Sequence, residues 1–378
     1  MWPSSWMNPE LSAFREQVRR FVAAELTPHQ ERFAQQQHVD RDIWKRAGEL
    51  GILCADIPEE YGGAGGSFAH MAVLFEEQAY AGDTAMNVSV HIILAHYILN
   101  QGTPEQKAKW LPKLASGEMI GAIAMTEPGA GSDLQGIRTT ARLEGDHYVV
   151  DGSKTFISNG YLADLIVVVV RTSDVPGAKG ISLLLVDSKT EGFKVGKKLH
   201  KLGQKGNDTC ELFFENMKVP KENLLGGDPG RGFAQLMTEL PYERLIIGVY
   251  AVASIERAVR LTVEYTRERK AFGKALIELQ NTRFQLAEAK TSAVVARTFL
   301  DKCIEELIAG RLDTVTASMA KYWTSDLQCK VIDDCLQLFG GYGYTMEYPI
   351  AQMFADARVQ RIYGGANEIM KELIARSL

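Results

Sequence analysis

Three short segments of this chain carry residue types suited to binding. Thr126-Glu127-Pro128-Gly129-Ala130-Gly131-Ser132-Asp133 leaves a β-prone stretch with backbone N–H groups beside hydroxyl and carboxyl side chains. Such a loop can hold anionic oxygens or the edge of a heterocycle. Phe156-Ile157-Ser158-Asn159-Gly160 sets an aromatic face beside a hydroxyl, and Arg267-Glu268-Arg269-Lys270-Ala271-Phe272-Gly273 brings positive charge with a second aromatic. A ligand with a flat ring and a pyrophosphate would use these types. Taken singly, each has a plainer reading, since a glycine cluster is usually a tight loop and a charge run a solvated face. Two more clusters, Gly62-Gly63-Ala64-Gly65-Gly66 and Gly340-Gly341-Tyr342-Gly343, complete the set. None opens a βαβ unit with a full dinucleotide fingerprint, which excludes a Rossmann domain.

The elements that must position these segments fall into three stretches. The first, 1–118, reads as helical: Leu11–Glu25, ended by Thr27-Pro28, then Arg41–Leu50, Met71–Tyr80 and Asn87–Asn100. Thr103-Pro104-Glu105-Gln106 reads as a cap with proline in the first turn of another helix. From 119 to 228 the texture changes to short β-prone runs separated by Gly, Asp and Asn turns: Ile120–Met125, Thr139–Leu143, Tyr148–Val150, Thr155–Ile157, Leu165–Arg171, Ile181–Val186, Phe193–Val195 and Glu211–Phe214. Runs at this spacing predict a compact antiparallel β-barrel domain. From 229 to 378 the helices are long, at Phe233–Thr266, Leu276–Ala309, Thr314–Phe339 and Ala351–Leu378, which fits a four-helix bundle. Pro241 is expected to kink the first of them. The fold class is therefore α+β multidomain, in the order helical, β, helical.

Bulk properties narrow the function. With 42 Lys+Arg against 47 Asp+Glu, the net charge of −5 offers no basic surplus for nucleic acid. No apolar run approaches the roughly 20 residues of a membrane span. The start, Met1-Trp2-Pro3-Ser4-Ser5, lacks the basic and apolar character of a signal peptide, which points to a cytoplasmic protein. Five cysteines, an odd number without a CxxC, read as a reduced set. His91 and His96 are five apart and read as packing or surface residues, and no metal site is visible.

The chain resembles the acyl-CoA dehydrogenase family from about residue 10 to the end. Six segments carry the likeness in the family's order: Ile57–Gly63, Ala124–Asp133, Phe156–Gly160, Arg269–Gly273, Gln337–Gly341 and Arg361–Glu368. Leu240-Pro241-Tyr242-Glu243-Arg244-Leu245 and Ile362-Tyr363-Gly364-Gly365-Ala366-Asn367-Glu368 look closest to its long-chain branch. The resemblance implies FAD as cofactor and an acyl-CoA substrate. It implies an electron-transfer flavoprotein as acceptor, and a homo-oligomer, usually a tetramer. It places Met125, Thr126 and Ser158 as hydrogen-bonding partners of the isoalloxazine, with Phe156 lying against it where many relatives carry Trp. Arg269, Phe272 and Gln280, with Gln337, Gly340 and Gly341, are implied to hold the adenine and pyrophosphate of a neighbouring subunit's FAD. Ala366, which replaces a common Thr and so lacks its hydroxyl, and Glu368 approach the cofactor again. Ser132, which also counts among the cofactor contacts, and the loop through Gly180 are implied to touch the CoA moiety. Tyr242, Arg244 and Gly364 complete the substrate contacts.

The implied reaction needs a base for a weakly acidic α C–H and fixed donors at the thioester oxygen, where negative charge develops. Many family members place a Glu at the position of Gly364, and here that base is missing. A minority carry it on the helix at the position of Glu243, and the resemblance makes Glu243 the base. Read from residue type alone, Glu243 is rather a helix carboxylate facing solvent and pairing with Arg244 or another neighbour. The backbone N–H of Gly364 is implied to bond the thioester oxygen, and the glycine is expected to leave space for long or branched chains. Thr84, Asn87 and Val88 are candidates for the pocket floor, or plain helix packing. Other readings stay open: an acyl-CoA oxidase or flavin monooxygenase on the same scaffold, against whose larger forms the end at Leu378 argues, or a non-catalytic CoA-binding protein.

Overall fold

The computed structural model describes residues 3–378; Met1 and Trp2, part of the N-terminal reading above, lie outside them. The first helix is Pro9–Phe21 (α1), opened by Asn8, whose side chain accepts from Leu11 N–H. Thr27-Pro28 does not end the helical region. Val22–Leu26 winds as a π turn, and Thr27–His29 passes the chain into Gln30–Gln36 (α2). Arg41–Glu49 (α3), Phe68–Ala81 (α4) and Val88–Gln101 (α5) follow. Pro104–Ala115 (α6) carries the predicted cap, with Thr103 and Gln106 exchanging side-chain and backbone hydrogen bonds.

The middle strands are Gly121–Ala124 (β1), Thr140–Glu144 (β2), His147–Ser158 (β3), Leu165–Arg171 (β4), Ile181–Asp187 (β5), Phe193–Lys198 (β6) and Thr209–Pro220 (β7). They form one seven-stranded sheet. Most pairs are antiparallel, but β1 and the end of β2 run parallel to β4. The two runs read as separate at Tyr148–Val150 and Thr155–Ile157 are one strand. Register shifts against β7, between Val150 and Gly152 and between Lys154 and Ile157, absorb the residues that look like a turn. The unbroken apolar run of β4 has its reason in burial on both faces. Leu165, Val167 and Val169 join the core shared with the helices, while Ile166, Val168 and Val170 fill the other side of the sheet.

The C-terminal bundle comprises Gly232–Glu268 (α7), Gln280–Ile308 (α8) and Thr314–Phe339 (α9), with the hairpin Lys270–Ala271 (β8) and Lys274–Ala275 (β9) between the first two. Pro241 lies inside α7, which continues through it for 37 residues in all. The helix expected over Ala351–Leu378 is broken. Pro349–Ala357 (α10) and Asn367–Ala375 (α11) flank a loop in which Gly364 and Gly365 have φ of 62° and 90°. Two consecutive left-handed residues cannot lie in an α-helix, and glycine adopts them without a Cβ clash. Among the described residues no helix is long and apolar enough to cross a membrane.

Candidate active site

The N-terminal half of α7 runs beside α5, and the antiparallel register of the two helices assembles a carboxylate cluster. Tyr97 Oη donates to Glu243 Oε1 at 2.7 Å. One turn on along α5, Asn100 Nδ2 meets both oxygens of Glu239 at 3.2 and 3.0 Å, one turn back along α7. Glu243 is half-buried as a residue, and its carboxyl is surrounded by protein. Burial pushes its carboxyl up to about 7. The Tyr97 hydrogen bond and the Arg244 charge pull it down, and the Glu239 charge adds to the rise. A carboxylate poised near neutrality is what abstraction of a weakly acidic proton needs. The solvent-facing reading of Glu243 is thereby set aside.

Tyr97 was not anticipated from the sequence, where it reads as one more apolar position of a buried helix. Its phenol favours the ionised carboxylate, and a hydrogen bond to a charged group is worth about 1.5–3 kcal/mol. In Tyr97→Phe the ascending limb of kcat/KM against pH is therefore expected to move up by on the order of one unit. An unmoved limb would remove Tyr97 from the site.

Gly364 faces the same helix surface. A Cβ built on it would come within 2.4 Å of Ile247 Cδ1, and Ile247 lies one turn beyond Glu243 on α7. The terminal methyl of Ile247, the far end of a flexible side chain, therefore borders the space beside Gly364.

The remaining predicted residues divide into two groups. Near the sheet, Met125 and Thr126 extend from β1, held by a buried lysine that the sequence reading missed. Lys154 Nζ donates to Met125 O and to Glu127 Oε1, both at 2.9 Å, and Thr155 N–H donates to Thr126 O at 2.9 Å. Glu127 also accepts the N–H groups of Arg138 and Thr139. The only sequence signal was a lysine in mid-strand between β-prone residues. Phe156 has φ of 60° and is 67% exposed, turned outward by the second register shift of β3. A large aromatic held in the left-handed region marks a functional constraint. Ser158 ends the strand beside it, half-buried. Ser132 is exposed on its loop, and Arg171 ties that loop to the next by donating to Gln135 O at 2.7 Å and Val175 O at 3.1 Å.

The second group lies at the far end of the bundle. Phe272, with φ of 55°, is 91% exposed, and the Arg269 guanidinium sits 5.6 Å from the Tyr342 ring centroid. Gln280, Gln337, Gly340 and Gly341 are exposed, and a Cβ on either glycine would meet nothing within 4 Å. At 1.5 Å per residue, Arg269 is about 40 Å along α7 from Glu243. Ala366 and Glu368 stand at the start of α11, close in sequence to Gly364.

Three of the expected substrate contacts are buried in this structure. Arg244 is 3% exposed and donates to Ser318 Oγ at 2.9 Å inside the bundle. Tyr242 gives its hydroxyl to Asp56 Oδ2 at 2.9 Å and stacks on His96 at 4.0 Å. Gly180 is buried beneath Val175, whose carbonyl oxygen would lie 2.4 Å from an added Cβ. All three face inward because their elements pack there, which a local motif cannot reveal. His96 also bonds Asp56 Oδ2, at 3.0 Å; burial works against its charge, but the carboxylate overrides this and raises its pKa. His91 is neutral, its pKa lowered to about 4 by burial, and sits between Leu114 O and Gly121 N. Thr84 and Asn87 line a cavity of about 60 Å³ with Tyr363 and Tyr250, whereas Val88 is buried elsewhere.

Fold and site together describe a helical–β–helical scaffold with a buried carboxylate near neutrality and an exposed aromatic shelf. The acyl-CoA dehydrogenase N-terminal, middle and C-terminal domain families match residues 8–118, 122–217 and 230–378, and the chain belongs to the acyl-CoA dehydrogenase family. That family is FAD-dependent. The rat mitochondrial long-chain specific acyl-CoA dehydrogenase is 49% identical over 374 residues, covering 98% of this chain and 87% of the relative. An acyl-CoA dehydrogenase structure from Geobacillus kaustophilus superposes with a TM-score of 0.97 at 45% identity, covering 99% of each chain. An FAD complex of an acyl-CoA dehydrogenase from Bacillus anthracis gives 0.92 at 31% identity, covering all of this chain and 68% of the other.

Proposed function

We propose that this enzyme converts acyl-CoA thioesters to trans-2-enoyl-CoA, with Glu243 taking the α proton. The observation that carries the reading is the buried Glu243 carboxyl at about 7, on the helix face that Gly364 also approaches. Bound FAD would supply the acceptor for the β hydride. The donor set suits it: an aromatic shelf at Phe156, hydrogen-bonding groups at Met125, Thr126 and Ser158, and a cationic, glycine-lined surface at Arg269, Gly340 and Gly341. This chain's own residues do the rest. Glu243 holds the abstracted proton, Tyr97 orients the carboxylate, and the Gly364 N–H stabilises charge on the thioester oxygen. The separation of about 40 Å between Glu243 and Arg269, at 1.5 Å per residue, supports the second surface serving another copy of the chain. A homo-oligomer, with an electron-transfer flavoprotein as acceptor, follows from the same reading.

The test is anaerobic mixing of the flavin-loaded protein with acyl-CoAs graded in length and branching, reading the loss of flavin absorbance. Bleaching is expected with long or branched thioesters, in keeping with the long-chain relative. No bleaching with any thioester would overturn the reading, and peroxide release with oxygen as sole acceptor would replace it with an oxidase.

A further inference from the structure

The loop between α10 and α11 is fastened to α9 by a buried cation that neither the base nor the cofactor contacts account for. Lys321 is completely buried, and around its ammonium the charges of Asp326 and Glu368 are opposed by those of Arg244 and Arg361. Its Nζ donates to the carbonyl oxygen of Gly365 at 2.6 Å and to Asn367 Oδ1 at 2.8 Å. Asn367, itself 1% exposed, returns its Nδ2 to Tyr322 O at 3.2 Å, Ser325 Oγ at 3.0 Å and Asp326 Oδ1 at 3.0 Å. Arg361, at the other end of the loop, pairs with Asp326 at 2.6 Å. One face of α9 thus grips both ends of the segment 361–367.

That segment contains two adjacent glycines in left-handed conformations, which would otherwise sample many backbone states. A buried ammonium is costly, and burial lowers the pKa of Lys321 to about 7. An apolar side chain would fill the same space without that cost. What the ammonium adds is a donor for Gly365 O and the buried Asn367 Oδ1, which ties the loop to α9. Holding Gly365 O toward α9, with Arg361 held to Asp326 on the other side, anchors the loop on both flanks of Gly364 and so narrows the orientations open to its N–H.

We propose that Lys321 is a positioning residue for catalysis, which aims the Gly364 N–H at the thioester oxygen through its bond to Gly365 O. This rests on the dehydrogenation reading above. The charge that develops at that oxygen as the α proton leaves is then met by a fixed dipole, and misplacement of such a group by about 1 Å costs on the order of 10²-fold in rate.

The test compares wild type, Lys321→Met, Lys321→Arg and Asn367→Ala, all as flavin-loaded protein. Melting temperature and flavin content establish that each is folded. Two readouts follow: the split between KM and kcat for anaerobic flavin reduction, and the pKa of bound acetoacetyl-CoA, followed by enolate absorbance. In that second measurement the C2–H bond breaks, its proton passes to a base, and the electron pair moves onto the oxygens, so hydride transfer plays no part.

In folded Lys321→Met, kcat is expected to fall about 10²-fold with KM little changed. The enolate pKa should rise by on the order of one to two units. Lys321→Arg, which keeps donors, should recover part of both. If Lys321→Met does not fold, Asn367→Ala should show the same changes at smaller size. A folded variant with wild-type kcat and enolate pKa overturns the proposal. A wild type that neither bleaches nor forms the enolate instead overturns the dehydrogenase reading.

Discussion

Glu243→Gln is expected to lower the rate of flavin reduction by acyl-CoA by about 10²–10⁴-fold, the range a positioned general base supplies. Gln fills the same volume and can still accept from Tyr97, so the cleft keeps its shape. What it loses is the ability to hold a proton. KM should change little, and the pH dependence should change with the rate. In the wild type kcat/KM rises as pH passes about 7, because the protonated carboxyl below that value cannot act as a base. In the variant that limb disappears. Stability moves the other way. The folded pKa lies above the ordinary carboxylate value, so the stability contributed by Glu243 is complete at low pH and lost as pH rises through about 7. Above neutrality the wild type carries an ionised buried group that the Gln variant lacks. Thermal melts at pH 8 should show the variant at least as stable as the wild type. Near-normal reduction in Glu243→Gln would reassign the base; lost activity with a markedly lower melt would leave Glu243 a packing residue.

The second large effect concerns moving the base. Glu243→Ala with Gly364→Glu is expected to regain little over Glu243→Ala alone, because the added Cβ lies 2.4 Å from Ile247 Cδ1 and that side chain must swing aside to admit it. Position 364 also has φ of 62°, which costs a non-glycine residue on the order of 1–3 kcal/mol. Adding Ile247→Ala removes the obstruction. The triple variant should regain at least about 10-fold in flavin reduction over the double, still short of wild type because the new carboxylate is imperfectly placed. Recovery in the double variant would show that Ile247 yields freely, and no recovery in a folded triple would show that a carboxylate at 364 cannot replace Glu243.

Much of this architecture is legible along the chain. The long helices of the bundle, the Thr103–Gln106 cap and the β-rich middle are written in local periodicity, and local periodicity is what a single sequence displays best. The departures occur where long-range pairing overrules it. β3 runs through Asp151-Gly152 because β7 offers a continuous partner, and the last helix breaks at the left-handed Gly364 and Gly365, in a loop that Lys321 of α9 fastens through Gly365 O. The site divides the same way. The Phe156 and Arg269 segments stand out by residue type, but Tyr97 and Lys321 look like ordinary positions in buried helices. Their polar atoms acquire meaning only from partners 146 and 44 residues away. Conversely, Arg244 and Tyr242 carry the polarity of ligand contacts, and in this structure they bond Ser318 and Asp56, with Arg244 Nε left without a partner among the described residues.

By itself, the sequence determined the order of the three stretches and the family, and it offered Glu243 as the candidate base where position 364 is glycine. Each depends on residue identity at fixed spacing. Tertiary structure alone decided that Glu243 lies near neutrality, that Ile247 guards Gly364, and that α9 holds the catalytic loop. A pKa, a clash and a clamp are properties of distance between groups remote in sequence, and folding sets those distances.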